Sequence, residues 1–99
     1  MDPQLAVELK RQCACIDIKL SLAHATIARM KELGRRRDEV GWESRMHVLA
    51  TQTVDLLDEA LNESLPDEIS QDPGIQEGLE RLREIHRLVV RVQQETYRV

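Results

Sequence analysis

The sequence is constrained most by a helical repeat of apolar residues that continues without a break from residue 5 to residue 30. Within this stretch apolar residues recur at alternating steps of four and three, and neither glycine nor proline occurs. Because an α-helix turns by about 100° per residue, this spacing places the side chains on one helix face. The members of this first stripe are Leu5, Leu9, Cys13, Ile16, Leu20, Ala23, Ile27 and Met30. The sequence therefore predicts a long amphipathic helix at the start of the chain.

Two aspartate–proline pairs mark predicted helix starts. The pairs are Asp2-Pro3 and Asp72-Pro73. An aspartate can cap a helix by accepting hydrogen bonds from its first free N–H groups, and proline is tolerated at the first helical position. With apolar residues repeating after each pair, the sequence predicts helices over residues 3–33 and 73–97.

A second helix is predicted between these two, over residues 38–64. Asp38 is expected to cap it, although Gly41 weakens its first turn. Pro66 ends it, because proline lacks the N–H that a helix interior requires. Residues 65–72 are then expected to form an acidic connector that contains one short turn.

The expected fold class is all-α, with three long antiparallel amphipathic helices in one domain over residues 1–99. Helices of similar length with short links favour antiparallel neighbours, hence an up-down-up bundle. The aromatic residues are only Trp42 and Tyr97, so aliphatic side chains must fill the core. That composition suits helix packing better than strands, which favour aromatic and β-branched residues.

Composition also limits the classes of function. The formal net charge is −4, so general affinity for nucleic acid is not expected. No apolar run is long enough for a membrane span, and Met1 is followed by no basic and apolar leader. A cytoplasmic location is therefore expected, with both cysteine thiols reduced.

The first helix carries a second apolar stripe, which a lone bundle does not explain. It falls about 180° from the first stripe on a helical wheel. Its members are Val7, Ala14, Ile18, Leu22 and Ala25. The other two helices could flank the first one in a flatter layout, or these side chains could simply be exposed, since scattered surface apolar residues are normal. The third alternative is an interface with another molecule.

We favour the interface, and we expect the chain to oligomerise through its first helix. The partner is a second copy, giving a homodimer, or another protein, and the chain is not expected to be monomeric at micromolar concentration. The predicted interface residues act by contact, without chemistry of their own. They are Val7, Arg11, Cys15, Ile18, Leu22, Ala25 and Arg29. The protein is thus expected to be a non-enzymatic regulator, adaptor, chaperone or inhibitor of bacterial or phage type, without a cofactor.

Basic residues offer an alternative function. Arg35, Arg36 and Arg37 follow the first helix and could contact phosphate, and Arg87, Arg91 and Arg98 share one face of the last helix. However, glutamates are interspersed on that face, which is typical of ion pairing within a helix. Nucleic-acid binding is therefore the second hypothesis.

Chemistry at His86 is a third hypothesis. Residues 83–93 (REIHRLVVRVQ) resemble the phosphoacceptor helix of one histidine-kinase class, which implies phosphotransfer, although the basic and amide positions after the histidine are not reproduced. Arg81 and His86 also have a spacing similar to that of some small helical ribonucleases. Five residues along a helix separate the two side chains by about 140°, so one subunit would not bring them together.

The two cysteines do not form a metal-binding pair. Cys13 and Cys15 are two residues apart, so on a helix their thiols point about 160° from each other. No further cysteine could complete a tetrahedral zinc site. Cys13 is expected to be a buried packing thiol, and Cys15 to lie near the second stripe.

Overall fold

The computed structural model of the protein describes residues 2–97, and all regular structure in that range is helical. The four helices are α1 (Pro3–Gly34), α2 (Trp42–Leu61), α3 (Asp67–Ser70) and α4 (Pro73–Glu95). They pack on one another in a body that measures 56 × 22 × 15 Å. No helix in this range combines the length and the apolar character needed to cross a membrane.

The two aspartate–proline pairs begin helices as predicted. The Asp2 carboxylate accepts a hydrogen bond from the backbone N–H of Gln4 at 3.0 Å. The Asp72 carboxylate accepts from the N–H groups of Gly74, at 3.0 Å, and Ile75, at 3.2 Å. Each cap satisfies N–H groups that have no partner within the helix, so the sequence itself fixes where α1 and α4 start.

The start of the second helix differs from the prediction. It begins at Trp42 rather than at Asp38, and the residue before it, Gly41, has a φ of 81°. A left-handed backbone interrupts a right-handed helix, so the helix cannot extend back through Gly41 to Asp38. Residues 35–41 therefore form a loop, and α2 ends at Leu61 instead of residue 64.

The predicted connector contains a short helix that contributes to the core. Pro66 precedes α3, and within α3 the side chain of Ile69 is 1% exposed. The expected short turn is thus present, and it carries a buried residue that the acidic composition of residues 65–72 concealed. At their other ends α1 extends to Gly34, one residue beyond the prediction, and α4 stops at Glu95 instead of residue 97.

The core is aliphatic, as the sequence predicts. Its α1 members are Ile16, Ala23 and Met30 of the first stripe, together with Leu33 at the end of the helix. The other helices bury Met46, Ala50, Val54, Leu57, Ala60, Ile69, Ile75, Leu82, Ile85 and Val89. The remaining first-stripe residues are partly buried and pack against this cluster. One face of α1 is therefore committed to the interior along most of the helix.

Contacts between helices show which parts lie together. Met30 of α1, Met46 of α2 and Val92 of α4 line one groove of about 360 Å³. Towards the other end of α4, a side chain at Gly78 would meet Ile16 of α1. The end of α1, the start of α2 and the end of α4 thus meet at one end of the body.

Gly78 allows the close approach of α4 to α1, which leads to the first testable prediction. A Cβ atom at this position would lie 2.7 Å from Cγ2 of Ile16, and that methyl group belongs to a stiff β-branched side chain. We expect Gly78→Ala to lower the free energy of unfolding by about 1–3 kcal/mol, measured by urea denaturation.

The matched control is Gly34→Ala, where the new Cβ would lie 3.8 Å from Met46, an ordinary contact. This variant should be neutral or more stable by up to about 1 kcal/mol. In an Ile16→Ala background the penalty of Gly78→Ala should disappear. If Gly78→Ala stabilises the otherwise unaltered protein, Gly78 of α4 does not lie as close to Ile16 of α1 as the structure places it.

Candidate functional site

The candidate site is the face of α1 that points away from the core. Ile16, in the first stripe, is 8% exposed, whereas Ile18 is 59% exposed and Leu22 50%. Val7, in the same second stripe, is 68% exposed. The two alanines of the stripe, Ala14 and Ala25, are exposed as well. Among residues 2–97 the other helices thus leave the second stripe exposed and do not bury it, as a flatter layout with helices on both sides of α1 would require.

Two arginines lie in line with the second stripe, and their environments differ. Arg11 donates to the carboxylate of Glu8 at 2.7 Å, and Gln12 donates to the same carboxylate at 2.9 Å. These hydrogen bonds, that of Arg11 above all, lower the pKa of Glu8, and the bond to Glu8 raises the pKa of Arg11. Arg29 forms no ion pair with a carboxylate among residues 2–97. Its guanidinium is thus available to another molecule.

The two cysteines are free thiols on different sides of α1. Cys13 is half-buried and packs against the core, so it is less enclosed than predicted. Cys15 is also half-buried, at the boundary between the core face and the second stripe. Among residues 2–97 no three His, Cys, Asp or Glu side chains come together as metal ligands would.

His86 has a partner that sequence analysis did not identify. Its Nε2 lies 2.6 Å from the Asp58 carboxylate, which joins α4 to α2. The imidazole is half-buried between the two helices. Arg81 instead pairs with Glu77 at 2.8 Å within α4, so the structure does not bring Arg81 and His86 into a common site. No local sequence signal pointed to this contact, because Asp58 and His86 are 28 positions apart.

The basic loop after α1 is largely engaged with carboxylates. Arg35 lies 3.3 Å from Glu32, and Arg36 lies 3.5 Å from Glu32 and 4.0 Å from Glu39. The guanidinium of Arg37 stacks over the Trp42 ring at 5.5 Å. Phosphate would therefore have to compete with these contacts.

The arginines of α4 are arranged similarly. Arg83 and Arg87 lie 3.3 and 3.4 Å from the carboxylate of Glu80, one and two helical turns away. Arg91 is exposed, and Arg98 lies outside the described residues. The expected ion pairing within the helix is thus present at Glu80.

An apolar groove lies between the end of α1 and α2. Leu33 at the end of α1 and Val48 and Leu49 of α2 line it, and its volume is about 440 Å³. The other exposed large apolar residues are Val40, Leu88 and Tyr97, one each in a loop, on α4 and after α4. Among residues 2–97, α1 is the one helix that has several of them aligned.

Comparison of the chain with models of protein families, with curated proteins and with solved structures found no match.

The opposed faces of α1 generate a second prediction, which compares two isoleucines two residues apart. Ile16→Ala removes buried methyl groups and should lower the free energy of unfolding by about 2–5 kcal/mol. Ile18→Ala should change it by about 0.5 kcal/mol or less, because its side chain is in water. Thermal or urea unfolding at submicromolar concentration, where association is minimal, measures both. Equal losses for the two variants would mean that the faces are wrongly assigned.

Proposed function

We propose that the protein is a non-enzymatic protein–protein interaction module that acts through the second stripe of α1 and forms a homodimer through this helix. It would serve as a regulator, adaptor, chaperone or inhibitor in the cytoplasm. The observation that carries the proposal is the alignment of Val7, Ile18 and Leu22, each at least half exposed, along one side of one helix. Isolated apolar residues on a surface are ordinary, but an aligned apolar stripe on a helix is typical of a docking face.

The size of this face sets the expected affinity. Burial of a large aliphatic side chain stabilises by about 1.5–3 kcal/mol, and part of that gain is already realised, because Val7 is 68%, Ile18 59% and Leu22 50% exposed. One helix face also offers less area than the roughly 800 Å² per partner of a standard interface. We therefore expect association in the micromolar range rather than the nanomolar range.

We infer that the three long helices form an up-down-up bundle, which leaves the second stripe on the outside. His47 of α2 lies 3.1 Å from the Gln93 carbonyl of α4, and Asp58 of α2 contacts His86 of α4. Higher numbers in α2 thus meet lower numbers in α4, as in antiparallel neighbours. α1 and α4 instead run in the same direction. Ile16, early in α1, lies at Gly78, early in α4, and Met30, late in α1, shares a groove with Val92, late in α4.

The proposal gives the arginines and His86 structural roles. The support is their geometry, because most of the arginines lie beside glutamates of their own helix or loop, and the imidazole contacts Asp58. A phosphotransfer site would need a histidine free to react, whereas the Nε2 of His86 lies at hydrogen-bond distance from a carboxylate.

The central test is the mass of the assembly in solution. We expect light scattering at micromolar concentration to give more than the mass of one chain, and the double variant Ile18→Glu, Leu22→Glu to give the mass of one chain. Charged side chains at the centre of an apolar interface lose hydration without gaining partners, so they weaken association strongly. The helical circular dichroism of the variant should not change, because both positions are exposed.

The matched control is Leu88→Glu, which places the same charge at an exposed apolar residue of α4. It should leave the assembly mass unchanged. A single-chain mass for the unaltered protein would refute the homodimer, and an assembly that persists in the double variant would exclude this face.

Nucleic-acid binding predicts a different outcome in a gel shift. We expect any shift to disappear by about 150 mM salt, because few basic side chains are free to neutralise phosphates. Binding that persists at this salt concentration and is lost when Arg35, Arg36 and Arg37 are changed to glutamate would favour the nucleic-acid hypothesis over ours.

A further inference from the structure

The arginines in line with the second stripe restrict how two copies of α1 can pair. Arg11 and Arg29 are exposed and follow the same alternation of three and four residues as the apolar members. Any second copy seated on the stripe must therefore accommodate both guanidinium groups. The inference below rests on the proposed homodimer and concerns the direction of its two helices.

A parallel pair in register would place each residue of the stripe against its own copy. Arg11 would face Arg11 and Arg29 would face Arg29 in a seam from which water is partly excluded, where like charges repel more strongly than in water. Ala14 would also face Ala14, which leaves space unfilled between two helices that the facing Leu22 side chains hold apart. Both effects disfavour the parallel arrangement.

An antiparallel pair centred at Ile18 matches both alanines of the stripe with larger side chains. In this register two facing positions add up to 36, so Leu22 meets Ala14 of the partner subunit and Arg11 meets Ala25 of the partner subunit, while Arg29 meets Val7 of the partner subunit. A small residue opposite a large one lets the helices approach closely without a cavity. Ile18 then contacts its own copy at the centre of symmetry.

The same register also pairs opposite charges. Arg29 comes within one residue of the level of Glu8 in the partner subunit, and both lie on the same side of the seam at about 100° per residue. Glu8 has a side chain that is 32% exposed and already attracts Arg11 at 2.7 Å. Arg29, which has no carboxylate partner among residues 2–97, would gain one, and symmetry would provide this contact twice.

We propose that the protein dimerises by antiparallel pairing of α1 with α1 of a second copy, with the symmetry axis near Ile18 and Arg29 beside Glu8 of the partner subunit. This arrangement also directs Val7 of the partner subunit towards the half of α1 beside the groove lined by Leu33 and Val48. The second copy thereby covers the exposed apolar surface of α1.

Distances between spin labels on the two subunits distinguish the two directions. Single cysteines replace Lys10, Ser21 and Ala28 in turn, in a background with Cys13→Ala and Cys15→Ser. All three positions are exposed and lie on one flank of the stripe. At 1.5 Å per residue, the antiparallel pair separates like labels along the helix axis by about 24, 9 and 30 Å, respectively. A parallel pair gives three similar distances of about 10 Å, close to the separation of packed helices.

The outcomes separate this inference from the proposed function. Long, short and long distances in this order support antiparallel pairing. Three equal short distances in a dimer would overturn the antiparallel direction and leave the proposed homodimer standing. If the labelled and the unlabelled protein both have the mass of one chain at micromolar concentration, the dimer itself is refuted, and the inference with it.

A charge exchange provides a second, independent measurement. Arg29→Glu should raise the dissociation constant of the dimer by about tenfold, because it places two carboxylates together in each of two symmetric contacts. Adding Glu8→Arg should restore most of the affinity. Lys31→Glu, the same charge change two residues away and off the stripe, is the control and should have little effect. Failure of the double exchange to restore affinity would overturn the Arg29–Glu8 contact.

Discussion

Burial of one side of α1 against α2 and α4 is the constraint on which the remainder of the surface depends. A continuous helix is rigid, so fixing Ile16, Ala23 and Met30 in the core also fixes the direction of every other side chain along it. Because the buried face fixes the rotation of α1 about its own axis, Ile18 and Leu22 must point outward. The bundle cannot cover these residues without exposing part of its own core. The apolar surface of the protein is therefore a consequence of its folding.

The sequence predicted the elements whose signals are local and repeated. The first stripe continues over many turns, and the carboxylates of Asp2 and Asp72 act within three residues, so α1 and the start of α4 were placed closely. Asp38 resembled a cap equally well, but the left-handed backbone of Gly41 decides where α2 begins. Ile69 was missed because a helix of four residues is too short to show periodicity.

The candidate site was predictable where its signal is local and repeated along the chain. Opposed faces follow from helical spacing alone, so the second stripe could be identified, and the exposure of Ile18 agrees with that spacing. The contact between Asp58 and His86 joins residues 28 positions apart, and nothing local in either segment indicates it. The partner that we propose for the stripe is a second molecule, and periodicity within one chain carries no information about such a molecule. The arginines and alanines in line with the stripe bear on the direction of a partner helix only when a second copy is placed against the first.

The second stripe of α1 differs from the other basic regions of the protein in how its arginines are paired. Glu32, Glu39 and Glu80 each lie beside arginines of their own neighbourhood, so those charges are balanced locally and attract other molecules only weakly. On α1, by contrast, Arg29 has no carboxylate partner in the described part of the chain, and an apolar stripe lies beside it. Because one face of α1 is buried in the core and the opposite face is exposed, substitutions on the outer face should leave the fold intact. In the proposed homodimer, one face of this helix would serve folding and the other association.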